Sequence, residues 1–223
     1  MSAGDVVAIT ALTLRVGVVS TALIALPAIA VGYALSRWRS PLQPLLQTIV
    51  TLPMVVPPVA VGLVLLHLLS RRGLVGGPLD AWFGISLLLT WKAAAIASAV
   101  MSFPLLASGA RAGFDAVPRR LEQVAATLGA SRWRVLAAVT LPHAARAIVG
   151  GLLLAFARGL GEFGATVLVA GTIPRETETL ALAIHARIQQ FDDRDAALLA
   201  LVSLALALLT AGGAELLLRR RPR

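Results

Sequence analysis

Residues 118 to 142 read PRRLEQVAATLGASRWRVLAAVTLP. Leu121, Val124, Ala125 and Leu128 recur at spacings of three and four, which puts them on one face of a helix. Gly129 follows as a C-cap-like stop, and Ser131 stands where it can cap a second helix. Trp133, Leu136, Ala137 and Val139 to Leu141 then carry another apolar stripe until Pro142. The stretch predicts two short amphipathic helices joined by a glycine elbow, the second stopped by Pro142.

What lies on either side decides the fold class. Residues 16 to 36, 40 to 70, 93 to 110 and 196 to 214 contain no Asp, Glu, Lys or Arg, and residues 147 to 174 contain only Arg158 and Glu162. A spanning helix needs roughly 20 apolar residues, so each run can cross a bilayer. None alternates apolar and polar with period two, which excludes a sheet or barrel. The chain is 58% hydrophobic and 14% charged, with a mean hydropathy of +0.85. A soluble domain is about 25% charged, so an ordinary soluble enzyme and a disordered chain are excluded. The absence of Cys removes disulfide scaffolds and thiolate metal sites. The expected fold is an all-α polytopic membrane protein, one unit over residues 1–223. Its spans fall near 11–36, 45–69, 86–110, 147–172 and 196–218, and residues 111–146 form the protruding loop.

Charge orients it. Placing segments 37–44, 111–146 and 219–223 on one side collects Arg37, Arg39, Arg111, Arg119, Arg120, Arg132, Arg134, Arg146, Arg219, Arg220, Arg221 and Arg223. The other side holds Arg71, Arg72, Arg175, Arg187 and Arg194 among seven acids. Basic loops stay in the cytoplasm, so the N-terminus is expected outside and the C-terminus inside. Arg71 and Arg72 go against the pattern and are taken as a snorkelling helix end. The first run exceeds a signal core and follows no basic stretch, so it is expected to remain in the mature chain. Pro53, Pro57 and Pro58 crowd the second span, which should be bent or split, while Pro27 and Pro104 put bends in the first and third. Trp82, Trp91 and Lys92 suit an interfacial belt.

The loop suits three roles. A helix-turn-helix DNA reader has a similar rhythm, but the second helix offers few side chains to read base edges and both ends are tied to the bilayer. Nucleic acid is therefore not an expected partner. An amphipathic segment resting on anionic lipid is the plainest role. The third is a docking knob pressed into a soluble partner that moves it.

The loop resembles that of binding-protein-dependent ABC importer permeases, whose pattern is Glu-Ala-Ala, three residues, Gly, nine residues, Ile, any residue, Leu-Pro. Here Gln123-Val124-Ala125, Gly129, Val139 and Leu141-Pro142 fall at those spacings. Gln123 stands where the family usually has Glu, with Glu122 just before it, and Val124 replaces the first Ala. LLLAFARGLGEFGATVLVAGTIPRETETLALAI, residues 152–184, is similar to the fourth span and following outer loop of molybdate permeases, a group that shares much with sulfate and tungstate permeases.

The resemblance implies a multi-pass inner-membrane subunit for oxyanion import, working as a homodimer amid membrane lipid with two cytoplasmic ATPase subunits and a periplasmic substrate-binding protein. Glu122, Gln123, Ala125, Leu128, Gly129, Trp133, Val139, Leu141 and Pro142 would form the ATPase-coupling loop. The chain has no phosphate-binding Gly-x4-Gly-Lys-Ser/Thr motif, so hydrolysis is expected on the partner, and no cofactor is expected. Gly159-Leu-Gly161-Glu-Phe-Gly164 spells a dinucleotide fingerprint, but it lies within an apolar helical run with no preceding strand. Arg158 and Glu162, four apart, are expected on one helical face with Thr166, where the two charges can satisfy each other. They serve either as a self-paired structural bridge or as a site where Arg158 lends positive potential to an anion route. His67, His143 and His185 lack metal-ligand spacing, so no metal site is expected, and Asp192, Asp193 and Asp195 suit a solvated turn.

Overall fold

The computed structural model describes residues 1–38 and 40–219. Arg39, Arg220, Arg221 and Arg223 of the charge pattern lie outside the described residues. The described chain is helical throughout, without strands, in the order α1 (Ala3–Arg37), α2 (Gln43–Val55), α3 (Pro58–Leu69), α4 (Gly76–Phe83), α5 (Trp91–Asp115), α6 (Arg119–Thr127), α7 (Arg132–Val135), a π-helical turn (Leu136–Thr140), α8 (Leu141–Leu160), α9 (Gly164–Ala170), α10 (Leu180–Gln189) and α11 (Asp193–Arg219). Four helical runs among the described residues are long and apolar enough to cross a membrane, and α2 with α3, bent by 105°, makes up to a fifth, as a broken span or a re-entrant loop. The proline-rich span is thus split, at Val56 and Pro57.

α1 begins earlier than its uncharged run because Ser2 and Asp5 form a reciprocal capping box that satisfies the first backbone donors. α1, α5 and α8 make the centre, where Ile24 and Ala28 meet Ala99, Leu106, Ala107 and Ala155. Small side chains let these backbones approach closely, as membrane helices do without a solvent-driven force between them. α3 and α9 pack on the N-terminal half of α5 through Val61, Leu65, Ala94, Ala165 and Val169. α10 and α11 lie against the start of α1 through Ile9, Leu180, Ala183 and Leu199. Leu26, Val55, Leu201 and Leu209 remain exposed, the surface expected of a chain that meets lipid or a second subunit.

Three expectations need correction. The third span starts at Trp91 rather than near residue 86, because Leu89 has φ 59° and donates its N–H to Val169 O at 2.9 Å, ending helical geometry just before Thr90. Pro142 does not stop the loop's second helix: Arg132–Leu160 is one continuous run. The π turn widens the helix there, with Leu141 N–H bonded to Leu136 O, so the missing donor and the bulk of the proline ring are accommodated. The fourth span, in turn, is not continuous to residue 172; it breaks after Leu160 and resumes as α9. Helices α4 and α10 lie in segments read as connections, and Arg71 pairs loosely with Asp80 of α4 at 3.8 Å.

Candidate functional site

Two regions carry the chemistry. The first is the loop between α5 and α8. α6 closes on a Schellman motif: Gly129 has φ 85°, its N–H bonds Ala126 O at 3.0 Å, and Ala130 N–H bonds Ala125 O at 3.1 Å. Ser131 then caps α7, its hydroxyl accepting from Arg134 N–H at 3.4 Å. The elbow leaves Leu128 83% and Trp133 80% exposed, with Leu121 and Val124 also open beside them. Ala125 and Val139 are half-buried, Gln123 and Pro142 are exposed, and Leu141 packs toward Phe114 and Ile148 of the body. An apolar tip left uncovered among the described residues is a surface for another molecule.

Glu122 points the other way. Its Oε1 accepts from Arg37 Nη2 at 2.7 Å and from the hydroxyl of Thr140, in the π turn, at 2.7 Å. Around that carboxylate, Ser36 donates to Asp115 Oδ1 at 2.6 Å, Arg37 Nη1 donates to Ser36 Oγ at 3.1 Å, and Arg119 Nη2 donates to Ser36 O at 3.4 Å. Gln123 and Glu122 border a cleft of about 360 Å³ between the two loop helices, together with Tyr33, Arg119, Arg132 and Thr140. In the sequence Arg37 stands out only as part of the charge pattern, and Thr140, Ser36 and Asp115 do not stand out, because the partners lie 18 to 85 residues apart, beyond a local spacing.

The second region is where the two broken spans cross. α8 ends at Gly161, and the carboxylate of Glu162 lies in the break. One oxygen accepts from Arg158 Nη1 at 2.7 Å and the other from Ala165 N–H at 3.0 Å, so Glu162 joins the end of α8 to the first turn of α9. The expected single helical face for Arg158, Glu162 and Thr166 is therefore replaced by a pair bridging a break. Gly159, Gly161 and Gly164 weaken the helix there, and Glu162 supplies an acceptor to the unpaired N–H groups of the restart. The Glu162 side chain is 1% exposed and that of Arg158 35%. Thr166 is buried in α9, its hydroxyl without a partner among the described residues. The break of the other span presses on this one: a Cβ at Gly164 would lie 2.7 Å from Pro58 Cβ, and one at Gly62 2.8 Å from Ala165 Cα. Nearby, Ser98 donates to Gly159 O at 3.5 Å, with Ser20 and Ser102 beside it. Among the described residues no cluster of His, Asp or Glu is placed to hold a metal ion.

Bent and interrupted helices around the paired Arg158 and Glu162, with a two-helix loop protruding from one end, suit a membrane-embedded subunit whose broken spans are sheltered by neighbouring helices. The chain belongs to the family of binding-protein-dependent transport system inner membrane components, whose pattern matches residues 8–221. It is 44% identical over 180 residues to the molybdenum transport system permease protein ModB of Escherichia coli, covering 80% of this chain and 79% of that one. It is 43% identical over 183 residues to the ModB of Haemophilus influenzae, covering 81% and 80%. The sulfate transport system permease protein CysT of Escherichia coli is 38% identical over 178 residues, 80% of this chain and 64% of that one. In fold, the chain is similar to the crystal structure of a bacterial ABC transporter involved in import of the acidic polysaccharide alginate. That likeness has a TM-score of 0.77 at 21% identity and covers all of this chain and 82% of the other. An amino acid ABC transporter crystal structure matches at TM-score 0.67 and 18% identity, over 98% and 94%. The family makes this chain an inner-membrane transport subunit of an ABC importer rather than an enzyme, with partners of the ATPase and binding-protein kinds.

Proposed function

We propose that the chain is the permease of a molybdate importer. Two copies line the pathway, a periplasmic binding protein delivers the oxyanion, and two ATPase subunits seat the loops on the cytoplasmic side. The N-terminus then lies outside and the C-terminus within the cytoplasm, the orientation that the distribution of arginine favours. The observation that carries the coupling is the uncovered apolar tip, Leu128 and Trp133, on a loop rigidified by its own caps. ATP binding draws the ATPase subunits together, the loops follow, and the bent spans exchange outward-facing for inward-facing packing; each nucleotide state favours one arrangement. Arg158 contributes positive potential beside the route while Glu162 fixes its position, and Thr166 adds a hydroxyl. Such a site holds the anion weakly, since a tight cage would not release it.

Identity with the ModB proteins favours molybdate, and identity with CysT keeps sulfate as the second reading. Competition uptake in vesicles holding the full complex separates them. Labelled molybdate should be displaced by unlabelled molybdate or tungstate at far lower concentration than by sulfate; the reverse order assigns the chain to sulfate.

A further inference from the structure

We infer that Glu122 is an internal tie that transmits movement of the loop to α1, a positioning residue rather than a contact to the ATPase; this rests on the coupling role proposed for the loop. The family pattern leaves two neighbouring positions for the carboxylate, and in this chain the exposed one is the neutral Gln123. Glu122 is turned inward, and the Arg37–Glu122 side chains are only 16% and 19% exposed, so the pair is shielded from much of the screening that weakens surface ion pairs.

α6 buries none of its residues. Its side-chain hydrogen bonds to the rest of the molecule run from Arg119 to Ser36 O of α1 and from Arg37 and Thr140 to Glu122. A single oxygen of Glu122 receives both of its donors, which binds the first loop helix simultaneously to the end of α1 and to the π turn that leads into α8. α1 is the longest helix and packs on both α5 and α8. A displacement of α6 therefore reaches the membrane core through this carboxylate, with the π turn as the adjustable element; π turns are interruptions of regular helix that recur at functional positions. With the carboxylate neutralised, α6 has no buried side chain to hold it in place and keeps only the bond from Arg119 to α1.

The test uses the complete complex in vesicles and reads molybdate uptake, ATP hydrolysis and ATPase retention together. Glu122→Gln keeps the shape and removes the charge; uptake per ATP should fall by about tenfold or more, the loss of one charge-assisted hydrogen bond, with the ATPase still bound. Arg37→Gln should do the same and Thr140→Ala should do less. The reversed pair Arg37→Glu with Glu122→Arg should recover most of the uptake lost by either single change, while insertion and ATPase retention stay normal in the single variants, as a folding defect would not leave them. Release of the ATPase by Glu122→Gln would place the carboxylate at the partner and overturn the tie. So would a reversed pair as impaired as the worse single variant. Should Glu122→Gln fail to insert, Thr140→Ala and the reversed pair decide the matter by the same readouts. Normal uptake in all of them, alongside uncoupling by Leu128→Asp, would refute the tie and leave the loop's coupling role standing; normal uptake in Leu128→Asp as well would remove both.

Discussion

Glycine interrupts helices at the loop elbow and at the crossing of the two broken spans, for opposite physical reasons. At Gly129 a Cβ would meet nothing within 4 Å, and the residue is needed for its φ of 85°. At Gly164 the backbone is unremarkable in sign, but a Cβ would lie 2.7 Å from Pro58. One glycine supplies a conformation and the other supplies room. The loop offers surface and is held to the body by a few polar bonds; the crossing hides an ion pair between interlocked backbones. Substitutions at the crossing should therefore fail in stability, and those at the loop should fail in transport with the protein intact.

The largest expected effect is at the ion pair. Arg158→Ala leaves the fully buried Glu162 carboxylate without its cation, and removing one partner of such a pair costs about 3–5 kcal/mol. Part of Arg158 is exposed, so the lower end of that range is expected, as a fall in thermal unfolding temperature in detergent. Replacing both, Arg158→Met with Glu162→Gln, which keeps an oxygen for Ala165 N–H, should recover much of that stability. If the double variant is stable and still transports, the pair is a structural bridge alone; a stable double variant with lost uptake places it on the route.

Gly164→Ala comes next. The Pro58 ring is not a flexible chain end that can swing aside, so overpacking of about 1–3 kcal/mol is expected, read as lower unfolding temperature and weaker membrane accumulation. A neutral result would mean that α3 and α9 separate freely and that the crossing is a hinge rather than a lock. Gly129→Ala should cost about 1–2 kcal/mol, because only the left-handed backbone is strained and no neighbour is displaced. Unfolding should again report it, and uptake should fall further than this modest loss accounts for if the elbow angle sets the loop's reach.

The loop was legible because its signals are local: Gly129 and Ser131 act within five residues, and the backbone bonds they imply are present. The spans were legible wherever a run lacked charge. The proline break of the second span was legible too, but the breaks at Leu89 and Glu162 were not, since each rests on a bond to a distant or neighbouring backbone group that hydrophobicity does not register. The pairing of Arg158 with Glu162 could be read from a spacing of four, whereas Arg37 with Glu122 lies 85 residues apart and Ser36 with Asp115 lies 79 apart, beyond any local pattern. Pro142 misled because a proline stops a regular α-helix, and the π turn that admits it is a property of the folded run.

Leu128→Asp should have the smallest effect on stability and still separate the two regions most cleanly. The side chain is 83% exposed, so unfolding should shift by no more than about 0.5 kcal/mol. If the tip seats in an ATPase groove, a charge at its apolar centre should reduce uptake by more than about tenfold, as loss of a buried interface anchor does, and loosen ATPase co-purification. Gly129→Pro is the stronger companion, since proline cannot adopt φ 85° and also deletes the N–H that bonds Ala126 O. An intact, inserted protein that transports normally with Asp at 128 would mean that the tip rests on lipid headgroups rather than protein. The contrast between an exposed driver and a buried crossing would then reduce to a difference in packing alone.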